Sequence, residues 1–191
     1  MSWFDAFKKT KKDPIDEYSI RIFKSATTGV DSIKTLSSDK SLESERYGLT
    51  KIEWFSVFNE FQYFFLHLTD RFAFGNMNDD RRNEILTRLE NLSIDLSVET
   101  VCDRWPSETI EKIKKESMRN FITSMNQYAQ YKDFFAEKGR SPKETLFWEF
   151  GKQIACLAGR DMDIAYIMCA VEAATNAMKE LDINRFIEAS K

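Results

Sequence analysis

The chain is poor in the residues that reverse its direction, because its 191 residues include only three prolines and six glycines. An all-β fold needs frequent tight turns, and those turns consume both residue types. Sixteen phenylalanines and an apolar fraction of 42% exclude a disordered chain. Apolar residues recur every three or four positions instead of alternating. The sequence therefore predicts an all-α protein, a single-domain up-and-down helical bundle of about five to seven helices over residues 13–191.

Capping residues, prolines and glycines mark the expected helix boundaries. Asp13 is a predicted N-cap with Pro14 in the first helical turn. The segment 141–144, Ser-Pro-Lys-Glu, matches a capping box and predicts a second start. Asp161 is expected to cap the last long helix. The other predicted boundaries are Gly75 after a helix over residues 50–74, Asn76 or Asn78, and the Trp105-Pro106-Ser107 corner.

The helix predicted over residues 50–74 has a polar stripe along one side. The candidates for ligand binding on this stripe are Glu60, Tyr63, His67, Asp70 and Arg71. The stripe has two interpretations: the solvent-exposed face of an amphipathic helix, or an inward face that builds a site within the bundle. We expect the solvent-exposed face, because any helix with one buried side must carry such an arc. His67 should then titrate near about 6.5.

The more specific alternative is an enzymatic or metal-binding site centred on Glu60, Tyr63, His67 and Asp70. Carboxylate-bridged di-iron bundles use a Glu-x-x-His pair on each of two helices, whereas this chain contains a single histidine. Neither a G-x-x-x-x-G-K-[ST] phosphate loop nor a G-x-S-x-G nucleophile elbow is present. We therefore predict no metal and no cofactor, favour a protein that is not an enzyme, and assign no catalytic residue.

The opposite side of the 50–74 helix is rich in aromatic residues, since seven phenylalanines lie between Phe55 and Phe74. We expect these rings to form core, and the alternative is an apolar pocket beneath this helix. Gln62 and Thr69 lie within the same apolar arc. They should either be hydrogen-bonded to another helix or mark a wet cleft.

Small residues recur every four positions at Gly151, Ala155 and Gly159. Alanines of the last long helix provide a matching set, so these two helices are expected to pack closely against each other. The same ridge could serve as the interface of a homodimer. The expected role of the three residues is helix packing.

Residues 1–12 form a tail in which aromatic residues precede four lysines. We expect its rings to fold back onto the bundle, and contact with a membrane surface is the weaker alternative. A net charge of −3 gives no basic field, so nucleic acid is not an expected partner. No run approaches the roughly 18 apolar residues of a transmembrane segment. Three cysteines without a C-x-x-C pair fit a reducing compartment, and the sequence predicts a cytoplasmic protein.

Three functional hypotheses remain open at this point. The leading one is a non-enzymatic module that binds a protein partner or associates with itself. The second is a helical carrier or sensor with an apolar pocket under the Phe-rich helix 50–74. The third is the metal-binding or enzymatic bundle centred on the polar stripe.

Overall fold

The computed structural model describes residues 13–37, 49–101, 106–137 and 142–191. Within these ranges the chain forms seven α-helices and no β-sheet, so the predicted all-α helical bundle is confirmed. The tail of residues 1–12, Trp105 and Ser141 lie outside the described residues. The helices are α1 (Pro14–Ser37), α2 (Lys51–Ala73), α3 (Asp79–Val101), α4 (Ser107–Tyr128), α5 (Leu146–Leu157), α6 (Ile164–Leu181) and α7 (Ile183–Ser190). None of the helices in the described residues combines the length and the apolar character needed to cross a membrane.

Helix α1 begins at its predicted cap. The Asp13 Oδ1 atom accepts a hydrogen bond from the Ile15 backbone N–H at 2.9 Å, and the helix starts at Pro14. The apolar side chains at helical spacing along α1 are all buried: Ile15, Tyr18, Ile22, Ala26, Val30 and Ile33. Helix α1 packs against α6, α2 and α3, so it forms one wall of the core.

Helix α2 is the centre of the bundle. A reciprocal capping box starts it: the Glu53 N–H donates to Thr50 Oγ1, and the Thr50 N–H donates to Glu53 Oε2. Residues 57–69 are all buried, because α1, α3, α4, α5 and α7 pack around this helix. The predicted solvent-exposed face is therefore wrong. Five neighbouring helices cover this part of α2, so Glu60, Tyr63 and His67 of its polar stripe are buried, whereas Asp70 and Arg71 are half-buried.

The short connection from α2 to α3 follows the sequence prediction closely. Gly75 has φ +83°, a left-handed conformation that ends a helix at little cost for glycine. The Asn78 Oδ1 atom then accepts a hydrogen bond from the Arg81 N–H at 2.8 Å and caps α3.

The predicted start of α5 within residues 141–144 is wrong, because the helix begins at Leu146. Glu144 has φ +68°, which is incompatible with a continuous α-helix. The first N–H groups of α5 are bound by the segment before it: Leu146 N–H donates to the Asp133 carbonyl and Phe147 N–H to the Phe134 carbonyl. Backbone partners thus replace the side-chain cap that the sequence suggested.

The start of α6 is also displaced from its predicted cap. Asp163, not Asp161, accepts the Tyr166 N–H at 3.1 Å. Met162 has φ +59°, so the helix cannot extend back to Asp161. Helix α6 ends at Leu181 as predicted, where Asp182 adopts φ +49° and separates it from α7.

Close packing of α5 on α6 takes place at Gly151. A Cβ atom at this position would lie 2.8 Å from the Ile167 carbonyl oxygen and 3.0 Å from Val171 Cγ2. Ala155, one turn later, is fully buried. Gly159 lies beyond the end of α5 with φ +66° and is exposed, and only Glu53 Oε1 comes within 4 Å of its Cβ position. The packing ridge therefore consists of Gly151 and Ala155, and Gly159 serves as the glycine after the helix end.

Replacing Gly151 with valine should lower the free energy of unfolding by about 1–3 kcal/mol, because the new side chain would overlap backbone atoms of α6. Chemical denaturation measures the change. Cys156→Val is the matched control, since Cys156 is exposed on the same helix and reports the intrinsic cost of a β-branched residue there. Equal stability of the two variants would contradict the close approach of α5 and α6.

Candidate ligand-binding groove

A groove of about 940 Å³ lies between the first half of α2, α4 and the second half of α5. Its floor consists of five buried polar residues: Asn59, Glu60, Tyr63, Ser117 and Ser124. Its wall consists of half-buried residues: Trp54, Phe55, Ser56, Ile113, Gln127, Gln153 and Leu157. Its rim consists of exposed residues: Lys51, Ile52, Glu116, Asn120 and Thr123. The groove thus combines an aromatic and aliphatic wall with a polar floor.

Glu60 is the only carboxyl group on the floor. Its Oε1 atom accepts a hydrogen bond from the Tyr128 hydroxyl at 2.5 Å, and its Oε2 atom accepts one from the Ser124 hydroxyl at 3.1 Å. Burial raises the pKa of Glu60 to about 7, and the hydrogen bonds from Tyr128 and Ser124 offset only part of that rise. Burial thus favours the protonated form of this carboxyl over a wider pH range than for an exposed glutamate.

Tyr63 is held in place from both ends of its side chain. Its hydroxyl donates a hydrogen bond to the Ser117 carbonyl at 3.0 Å, and its ring packs edge-on against Phe121 with centroids 5.6 Å apart. Burial raises the pKa of this phenol above its ordinary value, so it stays neutral. Tyr63 therefore presents a rigid polar surface on the groove floor.

Asn59 is a further polar group of the floor. Only 8% of this residue is exposed, and its side-chain amide makes no hydrogen bond to any described residue. Gln127 and Gln153 on the wall likewise have side-chain amides without a partner among the described residues. The groove therefore offers hydrogen-bonding groups that a bound molecule could satisfy.

Known proteins offer no guide to this groove. No family model, curated protein or solved structure matches the chain.

The candidate residues of the polar stripe do not form one site. Glu60 and Tyr63 lie in the groove, whereas Asp70 accepts a hydrogen bond from Arg82 Nε of α3 at 2.5 Å. Arg71 donates to the Tyr131 carbonyl at 2.7 Å, in the segment after α4. Asp70 and Arg71 therefore tie α2 to its neighbours instead of contributing to the groove.

His67 is buried, whereas the sequence analysis predicted a solvent-exposed side chain. Only 3% of the residue is exposed, and neither ring nitrogen has a hydrogen-bond partner among the described residues. Burial, with a smaller contribution from the nearby Arg71 charge, lowers its pKa to about 4. The expected titration near about 6.5 is thus wrong, because a neutral imidazole is favoured where water is excluded.

Two polar residues in the apolar arc of α2 make the predicted cross-helix hydrogen bonds. Gln62 Oε1 accepts from the Ser97 hydroxyl of α3 at 2.6 Å. The Thr69 and Tyr18 hydroxyls lie 2.9 Å apart and join α2 to α1. Four of the seven phenylalanines are fully buried core, as expected: Phe58, Phe61, Phe64 and Phe65. The expectation is wrong for Phe55, which lines the groove wall, and for Phe74, which is exposed. The groove therefore lies on the polar side of α2, and the Phe-rich side is packed.

No group of three or more His, Cys, Asp or Glu residues within the described ranges is arranged to hold a metal ion. His67 and Asp70 are not brought together in one site: Asp70 is paired with Arg82, whereas the ring nitrogens of His67 have no hydrogen-bond partner among the described residues.

Sequence reasoning did not identify the half of the site that lies on α4. Ser117 and Ser124 are seven residues apart and share a helix face with Phe121 and Tyr128. Two buried serines in an otherwise apolar stripe are the signal that marks such a surface.

Proposed function

We propose that this protein is a non-enzymatic binding module whose groove between α2, α4 and α5 holds a small molecule with an apolar body. The supporting observation is the composition of the groove, an aromatic and aliphatic wall over five buried polar residues. Small-molecule sites typically have volumes of about 300–1,000 Å³ and combine apolar walls with a few fixed polar groups.

The groove is also preorganised for binding. The Glu60 carboxyl is fixed by Tyr128 and Ser124, and the Tyr63 hydroxyl is fixed by the Ser117 carbonyl. Side chains held before binding lose little conformational freedom when a ligand arrives. Rigid polar groups also orient a ligand more specifically than mobile surface residues can.

Of the three hypotheses, the carrier or sensor is the closest to this proposal. Its pocket differs in position, since it lies on the polar side of α2 and not beneath the phenylalanines. Self-association, a protein partner and a cytoplasmic location stay predictions from the sequence.

The neutral, environment-sensitive dye Nile red tests for an apolar binding groove. We expect saturable binding of one dye per chain, with an increase in fluorescence as the dye leaves water. Ser56→Trp should weaken binding at least about tenfold, because an indole on the groove wall would occupy the ligand's volume.

Asn126→Trp is the matched control, since it adds the same indole at an exposed position of α4 that does not line the groove. Binding equal to that of the unmodified protein is expected for this variant. Non-saturable dye binding, or equal effects of the two tryptophans, would contradict the proposed function.

A further inference from the structure

We infer that the ligand of this groove is an organic cation, an ammonium group attached to an apolar body, with its charged nitrogen held by Glu60 and Asn59. The inference rests on the proposed function and narrows it to one class of ligand.

The charges that line the groove favour a cation at its floor. Three lining residues carry a full charge in their ionised form: Lys51 and Glu116 on the exposed rim and Glu60 on the buried floor. Lys51 precedes Glu60 by nine positions on α2, which corresponds to about 13 Å along the helix axis at about 1.5 Å per residue. The lining therefore supplies no cation beside the buried carboxyl, and an anionic head group would meet a like charge there.

The hydrogen-bonding groups of the floor also suit an ammonium donor. Each carboxylate oxygen has two lone pairs, and the Glu60 Oε2 atom accepts only the Ser124 hydroxyl. The buried Asn59 amide oxygen, next in sequence, accepts from no described residue. An ammonium nitrogen donates three hydrogen bonds and accepts none, so Glu60 and Asn59 together match its requirements.

Aromatic rings border the path from the rim to this floor. Trp54 and Phe55 line the wall, and Tyr63 lines the floor. Trp54 is itself held in place by stacking on Phe58, with ring centroids 5.1 Å apart. Electron-rich ring faces attract desolvated cations, and this attraction adds to that of the carboxylate.

Binding of a cation should release a proton from Glu60. The side chains that face this carboxyl are Tyr63 from α2 and Ser124 and Tyr128 from α4. Two further titratable groups adjoin these partners: Glu90 of α3 acts on Tyr63, and the His67 ring lies 5.6 Å from that of Tyr128, while Lys51 and Glu116 lie at the rim. Burial raises the pKa values of both tyrosines, so neither loses its proton near neutral pH. The pKa of Glu60 is about 7, and an adjacent ammonium group stabilises its ionised form.

Three ligands with the same eight-carbon body provide the test: octylammonium, 1-octanol and octanoate, titrated calorimetrically into the unmodified protein at pH 7. We expect octylammonium to bind at least about tenfold more tightly than octanol, and octanoate to bind more weakly than octanol. Repeating the octylammonium titration in two buffers of different ionisation enthalpy should reveal the release of protons on binding. Octanol should release none.

Glu60→Gln keeps the size of the side chain and removes its charge. We expect this variant to bind octylammonium and octanol with similar affinity, because the preference for the cation depends on the carboxylate. Glu111→Gln is the matched control, since Glu111 is exposed on α4 outside the groove, and it should keep the full preference.

Failure of this inference differs from failure of the proposed function. Octanol or octanoate binding as tightly as octylammonium would overturn the ammonium ligand and leave a binding groove. Absence of binding by all three ligands, together with no Nile red binding, would overturn both. If Glu60→Gln fails to fold by circular dichroism, the ligand series and the proton release of the unmodified protein still decide, and the absence of either effect overturns the inference.

Discussion

Replacing Phe64 with alanine is expected to lower the free energy of unfolding by about 3–5 kcal/mol, because it removes a ring from the most crowded part of the core. Phe64 is fully buried on α2. Its ring centroid lies 4.1 Å from that of Phe150, 5.0 Å from that of Phe147 and 5.5 Å from that of Tyr128. Rigid neighbours from α4 and α5 cannot collapse fully into the space, so a cavity should remain.

Urea denaturation followed by circular dichroism measures this loss. Phe74→Ala is the control, because Phe74 is 69% exposed at the end of α2 and its removal leaves no cavity. We expect the control to lose no more than about 1 kcal/mol, including its contact with Arg82. A loss of less than about 1 kcal/mol for Phe64→Ala would contradict the aromatic cluster.

The second large effect is a fall in stability as the pH rises. Glu60 has a pKa of about 7 in the folded protein, against an ordinary value of 4.5 for an exposed glutamate, so the folded state binds its proton more tightly than the unfolded state does. Its contribution to stability is therefore greatest at acidic pH and is lost as the pH rises from about 4.5 to about 7. Between pH 5 and pH 8 this carboxyl should lower the free energy of unfolding by about 2–3 kcal/mol.

Two other groups shape the same pH profile. Burial also raises the pKa of Glu90 to about 7, so its effect has the same sign as that of Glu60. His67 acts in the opposite direction: its pKa is lowered from 6.5 to about 4, so the stability it confers is present above about 6.5 and is lost as the pH falls.

Glu60→Gln separates the contribution of Glu60 from those of Glu90 and His67. The free energy of unfolding of this variant minus that of the unmodified protein should increase by about 2–3 kcal/mol from pH 5 to pH 8. Glu116→Gln makes the same chemical change at an exposed position and should run parallel to the unmodified protein. If the stability of Glu60→Gln depended on pH in the same way as that of the unmodified protein, the Glu60 carboxyl would not be buried as described.

Local signals in the sequence predicted much of the fold. Asp13 and Asn78 cap helices as predicted, since an N-cap acts on backbone groups only two or three residues away. The cap expected within residues 141–144 is wrong because the α5 N–H groups bind carbonyls of Asp133 and Phe134. Residues 141–144 themselves do not show that backbone carbonyls of a preceding segment bind the first N–H groups of α5.

The direction of the polar stripe could not be predicted from α2 alone. A helix with one polar side has the same sequence pattern whether that side meets water or a neighbouring helix. The deciding partners of Glu60 are Ser124 and Tyr128, 64 and 68 residues further along the chain. Their pairing is a property of how α2 and α4 pack, which no single helical pattern contains.

The packing of α1 on α6 also constrains how the protein can fold during synthesis. The two helices lie near opposite ends of the described chain, and α1 packs more extensively on α6 than on any other helix. Ribosomes add about 5–20 residues per second, so α1 emerges several seconds before its main partner. Until α6 arrives, part of the apolar face of α1 has no surface to cover it. Completion of the native core is therefore expected to follow synthesis of the C-terminal helices, and the N-terminal segment depends on protection from aggregation during that interval.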